Sequence, residues 1–215
     1  MVTLPAASLL DTPQHLVLDG ISWEFYESVL SEIGNRAIRV AFDEGRIEIM
    51  SPLPEHEIYG TWLGRLVELL GLELELEVIG LGSTTFRDSA ARKGLEPDEC
   101  FYVQNADKVT QISGEFDPGR HCAPDLAIEV EVTRKAIARE PIYAALRVPE
   151  VWHVSARRIQ CRVLRADGTY QDADRSLAFP FLAPADLLSW VQKLSAAGKT
   201  VPVLKKFQAW VRTLK

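Results

Sequence analysis

Pro124-Asp125-Leu126-Ala127-Ile128-Glu129-Val130-Glu131-Val132 sets three carboxylates into an apolar run, and Glu96-Pro97-Asp98-Glu99-Cys100-Phe101-Tyr102 does the same earlier in the chain. Both stretches read as β-strands. Period-two geometry puts Asp125, Ala127, Glu129 and Glu131 on one face of the later strand, and Leu126, Ile128, Val130 and Val132 on the other, which is expected to pack against a helix. An acid buried alone is costly, so carboxylates in such a run need a counter-charge, a hydrogen-bond network or a metal ion. If the strand of Asp98 pairs beside that of Glu129, the two carboxylates approach each other, and two hard oxygen donors suit Mg²⁺ or Mn²⁺. Ion pairing of the same acids with Arg or Lys from neighbouring elements explains the local pattern equally well.

Upstream, Trp23, Phe25, Tyr26, Val29, Leu30 and Ile33 recur at helical spacing and Gly34 is a helix stop. Residues 38–50 alternate on either side of Asp43-Glu44-Gly45, a hairpin signature. Ile58, Trp62, Leu63, Leu66, Val67, Leu69 and Leu70 trace a helix face up to Gly71, with Glu55, His56 and Glu57 in its first turn, where acids suit the helix dipole without any catalytic role. Leu72–Val78 alternates and reads as a strand, a short helix being the alternative, and another strand is expected around Ser83–Arg87. Beyond the two acidic strands, Ile137, Ile142, Tyr143 and Leu146 suggest a helix that either kinks at Pro141 or begins there. Strands over 151–154, 159–164 and 169–170 follow, with Asp167-Gly168 as a turn, and two apolar-faced helices close the chain.

The chain has 215 residues, 47% of them hydrophobic and 25% charged, as expected of one globular domain. Residues 1–18 read as a loose N-terminal arm and 184–215 as a helical extension. No apolar stretch approaches the roughly 20 residues of a membrane span, and the N-terminus lacks a signal-peptide pattern, so a cytoplasmic protein without a membrane partner is expected. Cys100, Cys122 and Cys161 lie far apart without CxxC spacing and read as free thiols. The net charge of -6 is unevenly spread: residues 1–132 hold 9 Lys and Arg against 24 Asp and Glu, while residues 133–215 hold 15 against 6. Such asymmetry allows one face to hold a phosphate backbone while an acidic pocket elsewhere binds cations; a solvated surface is the plainer account.

Residues 42–57, from Phe42-Asp43-Glu44-Gly45-Arg46 through Met50-Ser51-Pro52 to Pro54-Glu55-His56-Glu57, form the first of four motifs. The others are Glu96–Tyr102, Ala123–Val130, and Pro141–Leu146 running into Val148-Pro149-Glu150-Val151-Trp152. In this order, over residues 20–182, they resemble the Uma-two family, identified as nucleases of the restriction-endonuclease-like, PD-(D/E)xK fold. The resemblance implies an α/β (α+β) core with a central mixed β-sheet flanked by helices, here with an N-terminal helix-hairpin and C-terminal helices. It makes Asp98 the PD aspartate and Glu129 the (D/E)xK acid, both as ligands of Mg²⁺ or Mn²⁺, with the Val130 carbonyl as a backbone ligand. Glu131 stands where that motif has its Lys. In this family a basic residue four before the Tyr looks like the replacement; here it is Arg139, which can stabilise phosphoryl charge but cannot act as a base near neutral pH. Lys135 is the nearest Lys.

His56 matches a family His, a helix-terminal or core hydrogen bond being the alternative. Glu57 is the acid that many such nucleases place on this helix. Asp125 also follows a Pro, and a shift of register would make it the metal-binding aspartate in place of Asp98. Tyr143 and Trp152 are expected in the core. The resulting expectation is a Mg²⁺-dependent endonuclease acting on DNA, with Arg139 or Lys135 at the scissile phosphate and Lys205, Lys206 and Arg212 among the backbone contacts. A catalytically degenerate relative that binds nucleic acid or a protein partner without cleavage is the alternative, supported by the missing Lys. Homodimerisation through the Trp190 and Trp210 helices fits a two-strand cut, and intramolecular packing explains those residues as well.

Overall fold

The computed structural model describes residues 15–34, 36, 38–51, 54–111, 116–131 and 135–214. Ser22 caps helix α1 (Trp23–Ile33), its Oγ accepting from the Phe25 N–H at 3.2 Å, and Gly34 ends it at φ +55°. The hairpin follows as β2 (Arg39–Asp43) and β3 (Arg46–Met50), joined by Glu44-Gly45, both at positive φ as a tight two-residue turn requires. The end of the expected loose arm is not loose, because β1 (His15–Leu18) pairs antiparallel with β3 and forms a sheet edge. The strand expected around Ser83–Arg87 is β5 (Phe86–Asp88), and an unexpected β6 (Lys93–Leu95) follows it, pairing with β5 and with β2. The result is a five-stranded antiparallel sheet in the order β1-β3-β2-β6-β5, with Trp23, Tyr26, Val40, Phe42 and Ile47 packed between it and α1.

Helix α2 (Pro54–Leu74) runs through Gly71 into the stretch expected to be a strand. Two contacts extend it. Glu73 accepts from Gln208 Nε2 and Arg212 Nε, each at 2.7 Å, and Gly71 lets Val78 cross so closely that a Cβ there would lie 2.5 Å from Val78 Cγ2. Only β4 (Ile79–Gly80) follows as a strand.

The second sheet holds β7 (Glu99–Tyr102), β8 (Leu126–Val130), β9 (Glu150–Val154), β10 (Ile159–Leu164) and β11 (Tyr170–Ala173), in the order β11-β10-β9-β8-β7-β4. It is mixed: β8 and β9 run parallel, and the other pairs are antiparallel. Helix α3 (Glu140–Ala145) is the crossover that a parallel pair needs, and Pro141 stands in its first turn rather than at a kink. The apolar faces of β8 and β9 pack Leu126, Ile128, Val130 and Trp152 against Leu63, Leu66 and Leu70 of α2 and against α4 (Leu187–Ser195) and α5 (Val201–Val211). On the opposite face, Ile142 and Tyr143 of α3 join Cys100, Ala127 and Val151 to Ala41 and Leu95 of the first sheet. The candidate site therefore lies where the two sheets meet. Among the described residues no helix is long and apolar enough to cross a membrane.

Candidate active site

The segment Glu96-Pro97-Asp98 is the corner where the chain leaves the first sheet for the second. Glu96 fastens it, accepting from the Val40 N–H at 3.2 Å and from Thr85 Oγ1 at 2.8 Å. The register Glu99↔Ile128 then sets Asp98 beside Glu129. Asp98 N donates to the Ile128 carbonyl at 3.1 Å, and the Val130 N–H donates to Asp98 Oδ2 at 2.6 Å. Glu129 is 1% exposed. Tyr143 donates its hydroxyl to Glu129 Oε1, and the Lys135 ammonium donates to Oε2. Lys135 Nζ is also 3.7 Å from Asp98 Oδ2, so the two acids converge on one cation. Burial, then the charge of Glu129, holds the Tyr143 phenol well above its ordinary pKa, so it serves as a neutral donor.

Arg39 borders this group, with Nε 3.9 Å from Asp98 Oδ1 and Nη2 3.3 Å from Glu57 Oε1. Glu57 thus meets Arg39, and the structure reports no ligand-like grouping of it with Asp98 and Glu129: among the described residues no three His, Cys, Asp or Glu side chains gather as a metal cluster. His56 lies in the first turn of α2, and its side chain is outside the described portion.

The two basic candidates divide. Lys135 precedes α3 and reaches the acids from an irregular loop, whereas Arg139, expected at the same phosphate, places Nη1 3.0 Å from Glu48 Oε2. Its distance from the acid pair is bridged by an open cleft of about 830 Å³ whose lining includes Glu129, Lys135, Arg139 and His153. Glu131 stands at this cleft with its carboxylate 2.8 Å from His153 Nδ1, and His153 Nε2 lies 3.4 Å from Glu140 Oε1. Asp125 is not drawn into the group. It accepts from Val103 N (2.7 Å), Asn105 N (2.9 Å) and Asn105 Nδ2 (2.5 Å), and so caps the turn after β7 at the far end of β8. Lys205 and Lys206 are exposed on α5, while Arg212 is engaged by Glu73. Trp190 and Trp210 pack on Phe207 within the chain, each with ring centroids 5.5 Å from it.

Two polar residues near the site escaped the sequence reading. Tyr143 is expected from the sequence only in the core, and Glu48 only as part of the hairpin strand. Glu48 is 0% exposed. Burial pushes its carboxyl up, but Arg139, the Ala136 N–H, His15 and the Ile137 N–H more than offset this and leave it below its ordinary value. The signal was the same in kind as that of Glu129: one acid alternating with apolar residues in Ile47-Glu48-Ile49. On the other face of the second sheet, Glu99 lies against Gly60 and Gly64 of α2. Burial, reinforced by the charges of Glu68, Asp98 and Glu57 and opposed by Arg39, pushes it up to about 7.

A mixed sheet flanked by helices thus carries a buried acid pair and a lysine at its join with a second sheet. The chain belongs to the Uma2 (Uma-two) family, described as "Putative restriction endonuclease", whose model matches residues 23–197. A solved structure titled as "a putative nuclease belonging to DUF820", from Anabaena variabilis ATCC 29413, is similar at 16% identity with a TM-score of 0.45, over 71% of this chain and 90% of that one. No curated protein sequence matches the chain.

Proposed function

We propose that this chain is a Mg²⁺-dependent endonuclease hydrolysing phosphodiester bonds of DNA, with Asp98, Glu129 and the Val130 carbonyl as metal ligands and Lys135 as the cation at the scissile phosphate. The observation that carries this reading is the convergence of Asp98 and Glu129 on the single ammonium of Lys135. The donor set fits Mg²⁺ in kind, since that ion is commonly held by one or two carboxylates and keeps several waters. When bound, Mg²⁺ would supply Lewis acidity toward a phosphoryl oxygen and toward an attacking water. The chain's own residues do the rest. The Val130 N–H and the Tyr143 hydroxyl each take one oxygen of their carboxylate and so orient the other. Lys135, the only Lys at the acids among the described residues, is the group that neutralises charge gathering on the phosphoryl oxygens. Arg139 takes no part in this reading beyond its pairing with Glu48. Lys205 and Lys206 hold the DNA backbone.

The test is nicking of supercoiled plasmid by purified protein with Mg²⁺ or Mn²⁺. Cleavage is expected, and Asp98→Ala or Glu129→Ala should abolish it; cutting that survives both substitutions overturns the assignment. A second reading is a nuclease-fold protein that binds nucleic acid or a protein partner without cleavage. It is favoured by Glu131 at the third motif position, where the nuclease motif has its Lys. Salt-sensitive DNA binding with no cleavage under any divalent ion supports it.

A further inference from the structure

Glu48 lies outside the acid pair, on the first sheet, yet its carboxylate collects partners from both sides of the join. From its own sheet His15 places Nε2 2.5 Å from Oε1. From the loop after β8, the Ala136 N–H donates to Oε1 at 2.8 Å, the Ile137 N–H donates to Oε2 at 3.2 Å, and Arg139 Nη1 stands 3.0 Å from Oε2. Glu48 is paired with Ala41 of β2 and Val17 of β1, and beyond Ala41 is Leu95, so an apolar side chain would suit this face on packing grounds. A carboxylate here is explained by its acceptors and its charge.

The three loop partners begin at the residue after Lys135. Residues 135–139 form neither helix nor strand, and a free loop of that kind would let the Lys135 ammonium wander. Two backbone N–H groups and a guanidinium bound to one wholly buried carboxylate remove that freedom. Resting on the reading of Lys135 as the phosphate-contacting cation, we propose that Glu48 is a positioning residue: it fastens the 135–139 loop to the first sheet and so holds Lys135 between Asp98 and Glu129. Arg139 is its counter-charge, which accounts for a buried guanidinium, and His15 ties β1 to the same carboxylate. Gln cannot replace Glu48 in this role. It offers one acceptor oxygen, and its amide N–H₂ would confront either the Ala136 N–H beside His15 or the Ile137 N–H beside the Arg139 guanidinium.

The experiment is amine acylation of the full chain without divalent ions, with the rate at each Lys read by peptide mass spectrometry. In Glu48→Gln the rate at Lys135 should rise about tenfold, while that at Lys205 on α5 stays unchanged, as expected of local release rather than global unfolding. His15→Phe, on an edge strand and one-third exposed at the side chain, should give a smaller rise in the same direction. An unchanged Lys135 rate in Glu48→Gln, with circular dichroism and melting showing a folded chain, overturns the proposal; should Glu48→Gln not fold, an unchanged rate in His15→Phe does so. Absence of plasmid cleavage by the unsubstituted chain counts against the nuclease reading alone, because the labelling does not depend on activity. Where cleavage occurs, Glu48→Gln should lower kcat and leave KM for DNA nearly unchanged.

Discussion

Glu48 and Glu99 are both carboxylates in strand surroundings, and their neighbours drive them in opposite directions. Glu48 sits below its ordinary value of 4.5, so the stability it contributes is complete above that pH and is lost as the pH falls through its folded value. Glu99 is raised from 4.5 to about 7, so the folded chain retains a proton that the unfolded chain gives up, and stability declines as the pH rises between those values. Glu99→Gln should therefore remove the decline between pH 5 and 7 and raise Tm by about 3 °C at pH 8, with no gain at pH 4, in thermal melts across that range. A variant with the same pH profile as the parent would refute the buried position of this proton. Tyr143→Phe removes a buried donor to a charged acceptor, and urea unfolding should show a loss of about 1.5–3 kcal/mol.

At the scale of elements, β9 and the 174–183 segment depend on another buried acid. Glu150 accepts from Trp152 Nε1 (2.6 Å), Ser176 Oγ (3.1 Å), Leu177 N (2.9 Å) and Ala178 N (2.8 Å). Glu150→Ala would leave these donors unsatisfied together, and a destabilisation of about 3 kcal/mol or more is expected in denaturant unfolding. Helix α1, the β2–β3 hairpin, the two acidic strands and the closing helices were legible because each carries its period within a few residues. Less was visible where distant contacts decide. The three-residue β6 has no period to show, and the alternating Leu72-Glu73-Leu74 was misread because Glu73 is held in a helix by Gln208 and Arg212, far along the chain. The pairing of Asp98 with Glu129 could be posed from strand geometry, since it needed only that two neighbouring strands be adjacent. The separate destinations of Lys135 and Arg139 could not, because they depend on Glu48, which a second sheet presents from the other end of the sequence.

Across the whole molecule, the basic excess of residues 133–215 is spread unevenly in space. Lys135 and Arg139 go to acids, Arg162 to Glu140 and Asp172, and Arg212 to Glu73, whereas Lys193, Lys205 and Lys206 stay exposed on α4 and α5, with Lys193 Nζ 4.4 Å from the centre of the Trp190 ring. If this helical layer holds a DNA backbone, replacing Lys205 and Lys206 together by Gln should lower the slope of log affinity against log salt by about 2, measured by fluorescence anisotropy on duplex DNA. An unchanged slope would place the DNA elsewhere.

The corner at Glu96-Pro97-Asp98 makes one covalent turn belong to both sheets, and Asp98 stands at its end. Any cation captured there would be gripped by Asp98 on that turn and by Glu129 of the second sheet, so its binding would also fix the turn through which the two halves are joined. Adding Mn²⁺ should then shift a single melting endotherm upward as a unit, in proportion to the logarithm of ion concentration, rather than splitting it into a loose half and a tightened one.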